Sequence, residues 1–200
     1  MKTLPKIIWR VPDEHVYLTF DDGPDAKMTP ALLTLLHKHT VRATFFLLGE
    51  KVRRHPEVVR QICEAGHAIG NHSFSHPNLI GKSKEVIRDE VLQTDAAIVD
   101  VVGKTPALFR PPYGRFGVEL MGVLSETHHR LVLWSGSTKD YRTESDAEMI
   151  SGALIRLAKP GKVILLHDGH LNSGNTLQAL ERTLGKLAER GLTFSSIPEN

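Results

Sequence analysis

Apolar, β-branched-rich runs alternate with helical patterns along the whole chain, the signature of βα units around a mainly parallel sheet. Runs at residues 16–20, 43–48, 67–70, 107–109, 131–134, 163–166 and 192–197 predict strands. Between the first two, Thr29 and Pro30 stand in the order favoured at an N-cap and first helical position. They open a helix to about His39, whose Leu32, Leu33, Leu35 and Leu36 form a broad apolar face. Further helices fit residues 56–65, 84–102, 146–158 and 175–190. Ser145 and Glu148 make an S-x-x-E capping box, and Gly66, Gly103 and Gly191 stand where helices end.

About seven such strands close, or nearly close, a barrel, although 200 residues is short for the eight-fold version. The expected class is therefore α/β, a distorted, trimmed TIM-like (β/α) barrel, with an open doubly wound sheet as the alternative. No repeat, low-complexity segment or linker divides residues 1–200, so one catalytic domain is expected.

A chain of this length buries roughly 70% of the surface its unfolded form exposes, enough for a core without staples. Its 25 basic and 23 acidic residues leave a net charge of only +2 and no dense Lys/Arg patch. That argues against a nucleic-acid partner or an anionic membrane surface. The lone cysteine, Cys63, rules out an internal disulfide and falls in an apolar helical pattern with Val58, Val59, Ile62 and Ala65, as a buried, inert thiol would. The first twenty residues carry Lys2, Lys6 and Arg10 but are interrupted by Pro5 and Pro12. They offer no export signal, and no stretch is long and apolar enough to span a bilayer. As written the chain reads as cytoplasmic; an extracellular or cell-envelope protein trimmed of its leader would read the same. Oligomeric state is not legible.

Polar residues gather at the carboxyl ends of the predicted strands: Asp21 and Asp22, Asn71 and His72, Arg110, His167. Parallel α/β architectures build active sites on that edge. In His72-Ser-Phe-Ser-His76 two imidazoles four residues apart can converge on one cation, but eleven histidines give roughly 0.6 such pairs by chance. In Thr19-Phe-Asp-Asp-Gly-Pro24, turn chemistry explains Gly23 and Pro24. It leaves unexplained two adjacent carboxylates, which repel unless a cation or Arg lies close. Asp22 joined to His72 and His76 gives two nitrogens and one oxygen with a fourth position open, the pattern of a catalytic zinc site.

With Arg110-Pro-Pro-Tyr113 and Leu165-Leu-His167 added, the four ordered motifs resemble those of the polysaccharide deacetylases, carbohydrate esterase family four, over about residues 15–198. The resemblance implies a distorted barrel that removes N-acetyl groups from chitin, chito-oligosaccharides or peptidoglycan, and less often O-acetyl groups from xylan. It implies Asp22, His72 and His76 as ligands of one divalent ion and Asp21 as the base that deprotonates the attacking water. Arg110 would hold that base, and the backbone N–H of Tyr113 would meet the oxyanion. His167 would protonate the departing amine with Asp140 as its partner, and Leu165 would floor the acetyl pocket. Zinc fits the ligands best, with cobalt, nickel or manganese as other occupants. Trp134 and Tyr113 are candidates for stacking on a sugar face. The chain departs from the family at Ser137, where Asp often stands, and at Tyr141, where Trp often stands. Three other readings remain open: an amidohydrolase for a small non-sugar amide, a sugar-binding protein without turnover, and a structural metal protein.

Overall fold

A computed structural model describes residues 6–199. Lys2 and Pro5, on which the amino-terminal reading partly rests, lie outside the described residues. The chain runs β1 (Ile7–Ile8), β2 (His15–Gly23), α1 (Met28–Lys38), β3 (Thr44–Leu47), α2 (Gly49–Arg54), α3 (Pro56–Glu64), β4 (Ala68–Asn71), α4 (Lys84–Val102) and β5 (Leu108–Phe109). It continues through a 3-10 turn (Pro112–Gly114), α5 (Val118–Thr127), β6 (Arg130–Val132), β7 (Gly136–Ser137), α6 (Ala147–Leu157), β8 (Val163–His167), α7 (Ser173–Glu189) and β9 (Thr193–Phe194). Among the described residues no helix is long and apolar enough to cross a membrane.

The strands pair in parallel in the order β1-β6-β5-β4-β3-β2-β8-β7, with β9 also against β2. From β2 the order climbs one strand at a time to β6, and β8 returns to β2 from the other side. That is the wrap of a barrel, with no reversal of the kind that marks a doubly wound sheet. β6 and β7 lie near opposite ends of this order, yet only Leu133, Trp134 and Ser135 separate them. Four peptide steps reach at most about 14 Å, so the sheet must curl until its ends nearly meet. The pairing of Arg10 with Lys162 and the hydrogen bond from Val11 N–H to the Gly161 carbonyl (3.0 Å) tie the segment after β1 to the approach of β8.

Alternation along β2 sorts its side chains between two cores. Val16, Leu18 and Phe20 point outward into the cluster shared with Leu32 and Leu36 of α1 and Leu180, Leu184 and Leu187 of α7. Tyr17 points inward and packs with Ile8, Phe46, Leu108, Val132, Val163 and Ile197. Thr19 and Asp21 continue the inward row toward the carboxyl mouth, so the strand that anchors the core also delivers a carboxylate.

Several local expectations are corrected. Helix α1 begins at Met28, with Thr29 inside its first turn; Asp25 Oδ1 accepts the N–H of Lys27 (2.9 Å) and Met28 (2.8 Å), leaving Thr29 Oγ1 to donate to Asp168. α6 is capped by Asp146, which accepts from Met149 N–H at 2.8 Å, while Ser145 Oγ donates to the Lys139 carbonyl. Cys63 is exposed, because the buried stripe of α3 is Val58, Val59 and Ile62 and Cys63 falls off its edge. The expected strand at 131–134 ends at Val132, so Trp134 lies beyond it. Gly66, Gly103 and Gly191 do adopt left-handed φ of 75°, 73° and 78°.

Candidate active site

Neighbours on a regular strand face opposite ways, which would put the sheet between Asp21 and Asp22. The register of β2 against β3 slips between Asp21 and Gly23, and Asp22 takes a left-handed φ of 69°. This bulge turns both carboxylates into one cleft of about 460 Å³ at the barrel mouth. Lys51 of α2 fixes the bulge, its Nζ donating to the carbonyls of Asp22 (2.8 Å) and Gly169 (2.9 Å). Gly23 is required by more than its turn: a Cβ there would stand 2.6 Å from the buried carboxylate of Asp168.

The exit of β4 carries the two histidines. His72 Nε2 and His76 Nε2 lie 3.5 and 3.3 Å from Asp22 Oδ1, and the three potential ligand atoms are all within 4.8 Å of one another. Bonds of 2.0–2.2 Å in a tetrahedron put donors about 3.3 Å apart, so the spacing suits co-ligands. Two further observations fit a cation. Asp22 Oδ1 is buried without a hydrogen-bond partner. His72 Nδ1 lies 2.7 Å from the Arg110 carbonyl, so that it donates there and leaves the Nε2 lone pair facing Asp22. Burial works to raise the pKa of Asp22, but His72, with His167 and His76, outweighs it and holds the carboxyl well below the usual range. Burial, helped by the charge of His72, lowers that of His76, favouring the neutral form a ligand needs.

Asp21 stands on the other side of this group. Its Oδ1 accepts from Arg110 Nη1 at 2.7 Å, and its Oδ2 is 3.7 Å from His72 Nε2. Arg110 is fully buried inside the barrel, over the ring of Phe46 at 4.1 Å. Its hold on Asp21 is through one nitrogen only. Nη1 also donates to Thr19 Oγ1 (2.7 Å) and Nη2 to the Leu133 carbonyl (3.0 Å), so Arg110 braces β2 against β6's exit and holds Asp21 by one oxygen.

His167 ends β8 on the far wall. Its Nδ1 is 2.9 Å from Asp140 Oδ1, while Asp140 Oδ2 accepts the His167 backbone N–H (2.8 Å) and Thr176 Oγ1 (2.9 Å). Burial disfavours the charged ring, but the hydrogen bond to Asp140 and the charges of Asp140, Asp21 and Asp22 prevail and push His167 up to about 9. The neighbouring Asp168, wholly buried, is pushed up to about 7 by burial against the pull of Thr29 and Lys51.

Nine of the residues singled out in the sequence line the cleft: Asp21, Asp22, His72, His76, Tyr113, Trp134, Tyr141, Leu165 and His167; Arg110 and Asp140 sit directly behind. Tyr113 is 60% exposed at the rim, with φ of 60° and its ring edge-on to His76 at 4.7 Å. The next residue must be glycine, because Gly114 has φ of +67° and a Cβ would meet the Trp134 ring at 2.5 Å. Tyr141 stands edge-on to His167 at 5.5 Å, and His170, which the sequence did not single out, completes the same wall. The spacing of His170 from His167 was the available signal, since both follow one strand end.

A family model described as polysaccharide deacetylase matches residues 10–132. A peptidoglycan-N-acetylglucosamine deacetylase of Bacillus cereus is 38% identical over 187 residues, which is 92% of this chain and 67% of that protein. A chitooligosaccharide deacetylase of Rhizobium leguminosarum is 34% identical, over 94% of this chain and 92% of the relative. Among curated relatives the chain spans from 41% to 92% of their own length. A crystal structure of a peptidoglycan N-acetylglucosamine deacetylase superposes with a TM-score of 0.92 at 34% identity, covering 97% of this chain and 92% of that one.

Proposed function

Because the chain belongs to the polysaccharide deacetylase family, we propose that it is a metal-dependent hydrolase removing N-acetyl groups from amino-sugar polymers or oligomers, of the peptidoglycan or chito-oligosaccharide classes for which its relatives are named. One arrangement carries this reading: a carboxylate and a histidine, each backed by a buried charged partner, flank a two-nitrogen, one-oxygen group in a single cleft.

Asp22, His72 and His76 would hold the ion, and zinc is the best match to two imidazoles and one carboxylate. A divalent ion held by these three residues would supply Lewis-acid polarisation of the acetyl carbonyl and a lowered pKa for the attacking water. Asp21, with one oxygen fixed by Arg110, turns the other to the water and takes its proton as the oxygen adds to the carbonyl carbon. The backbone N–H of Tyr113 meets the developing oxyanion. His167, kept protonated at neutral pH by Asp140, gives its proton to the amide nitrogen, which otherwise leaves very poorly. Leu165, 4% exposed and lining the cleft, receives the acetyl methyl, and Trp134 and Tyr113 offer ring faces to the sugar.

The test is acetate release from N-acetylated chito-oligosaccharides, peptidoglycan fragments and acetylxylan, with chelator and add-back of zinc, cobalt, nickel or manganese. The expected result is zinc- or cobalt-restored release from the first two. A metal-loaded protein that releases no acetate from any of them overturns the reading.

A further inference from the structure

The loop bearing both histidine ligands, residues 72–76, is held in a shape it would not choose alone. Ser73 and His76 have φ of 70° and 60°, a region disfavoured for residues with a Cβ, so partners outside the loop must fix it. Accounting for its backbone N–H groups identifies them. His72 N–H donates to the Leu47 carbonyl of β3 (3.0 Å), Ser73 N–H to Asn71 Oδ1 (2.8 Å) and His76 N–H to Ser73 Oγ (3.2 Å). The two that remain, those of Phe74 and Ser75, converge on one oxygen, Glu90 Oε2, at 2.8 and 2.9 Å. Ser75 Oγ donates to the other, Glu90 Oε1, at 2.8 Å.

Glu90 comes from the middle of α4, a helix whose Val91 carbonyl and Asp95 also hold the Asn71 amide (2.9 and 2.8 Å). From the opposite side, the N–H groups of Gly49 and Glu50 at the start of α2 donate to the Ser73 and Phe74 carbonyls, both at 3.1 Å. The loop is thus gripped by its carbonyls from α2 and by its amides from Glu90, and among the described residues Glu90 supplies the only charged acceptor for its backbone N–H groups.

Resting on the reading of Asp22, His72 and His76 as metal ligands, we propose that Glu90 is a positioning residue that sets the affinity of the metal site through the loop backbone. Without it the amides of Phe74 and Ser75 turn to water, Ser73 and His76 relax, and the imidazoles lose the convergence that brings them within 3.5 Å of Asp22 Oδ1.

The experiment titrates the full chain with zinc against a chromophoric chelator, and with cobalt followed by its visible spectrum. Glu90→Ala is expected to weaken zinc binding by about 10–100-fold, the usual range for groups that orient ligands, with turnover recovering at saturating zinc. Glu90→Gln is expected to stay within about threefold of the parent, because its amide oxygen still accepts both N–H groups and its NH₂ still reaches Ser75 Oγ. Should Glu90→Ala not fold, Glu90→Asp, too short to span the same gap, carries the test with the same expected loss. Parental zinc affinity in folded Glu90→Ala or Glu90→Asp overturns the proposal, as does equal weakening by Glu90→Gln. A parent that binds zinc but releases no acetate sinks the deacetylase reading instead and leaves this one standing.

Discussion

Two adjacent aspartates meet different partners, which is the ground for proposing different jobs for them. Asp21 faces a buried guanidinium, whereas Asp22 faces two imidazoles with an oxygen left unpartnered. Replacing Asp21 by Asn keeps the size and the Arg110 contact but removes the proton acceptor. Turnover should drop by about 10²–10⁴-fold while zinc still binds, measured by acetate release alongside metal titration. His167 makes a pH prediction with a definite sign. Its folded pKa of about 9 lies above its ordinary 6.5, so the acid proton is present below about 9 and lost as pH rises through that value. Acetate release should therefore fall on the alkaline side near pH 9. Asp140→Asn removes the partner that raises this pKa, so the alkaline limb should move to lower pH; an unmoved limb argues that another group titrates there.

Elements were legible where the pattern was long and self-consistent. The expected helix 84–102 coincides with α4, which opens on Ser83, whose side chain accepts from Val86 N–H, and closes at left-handed Gly103. The helices α2 and α5 left weaker traces: one is six residues of Gly49-Glu-Lys-Val-Arg-Arg54, and the other carries Gly122 at its centre with no side-chain cap. β1 and β7, two residues each, are defined by what they pair with and by no periodicity of their own. The cap of α6 shows how local competition decides a boundary. Ser145 and Asp146 both suit an N-cap, and Ser145 is drawn away because its hydroxyl closes the loop through the Lys139 carbonyl. Asp146→Ala should cost about 1 kcal/mol in urea unfolding with kcat unchanged, whereas Ser145→Ala should spare the helix start. A neutral Asp146→Ala argues that the helix end gains nothing from its cap.

At the scale of the whole molecule, the clustering of polar residues at strand ends was readable because a parallel barrel carries its chemistry on one edge; the distances were not, since they depend on the bulge at Asp22 and on the Lys51 and Glu90 contacts. The same architecture separates stability from chemistry. The largest core joins β2, β3 and β8 to the surrounding helices, a second packs α4 and α5 against β5 and β6, a third fills the barrel, and the ligand group belongs to none of them. A structural ion would staple the fold, and its removal would unfold the chain; an ion on a preformed edge leaves the fold standing. Chelation should thus abolish acetate release with the far-ultraviolet circular dichroism and a cooperative melt retained. Zinc restored at about 100 times its Kd should add about 2.7 kcal/mol, raising Tm by roughly 5–10 °C for a chain of this size. A chelated protein that melts without a cooperative transition assigns the ion to the fold and removes the ground for a preformed hydrolytic centre.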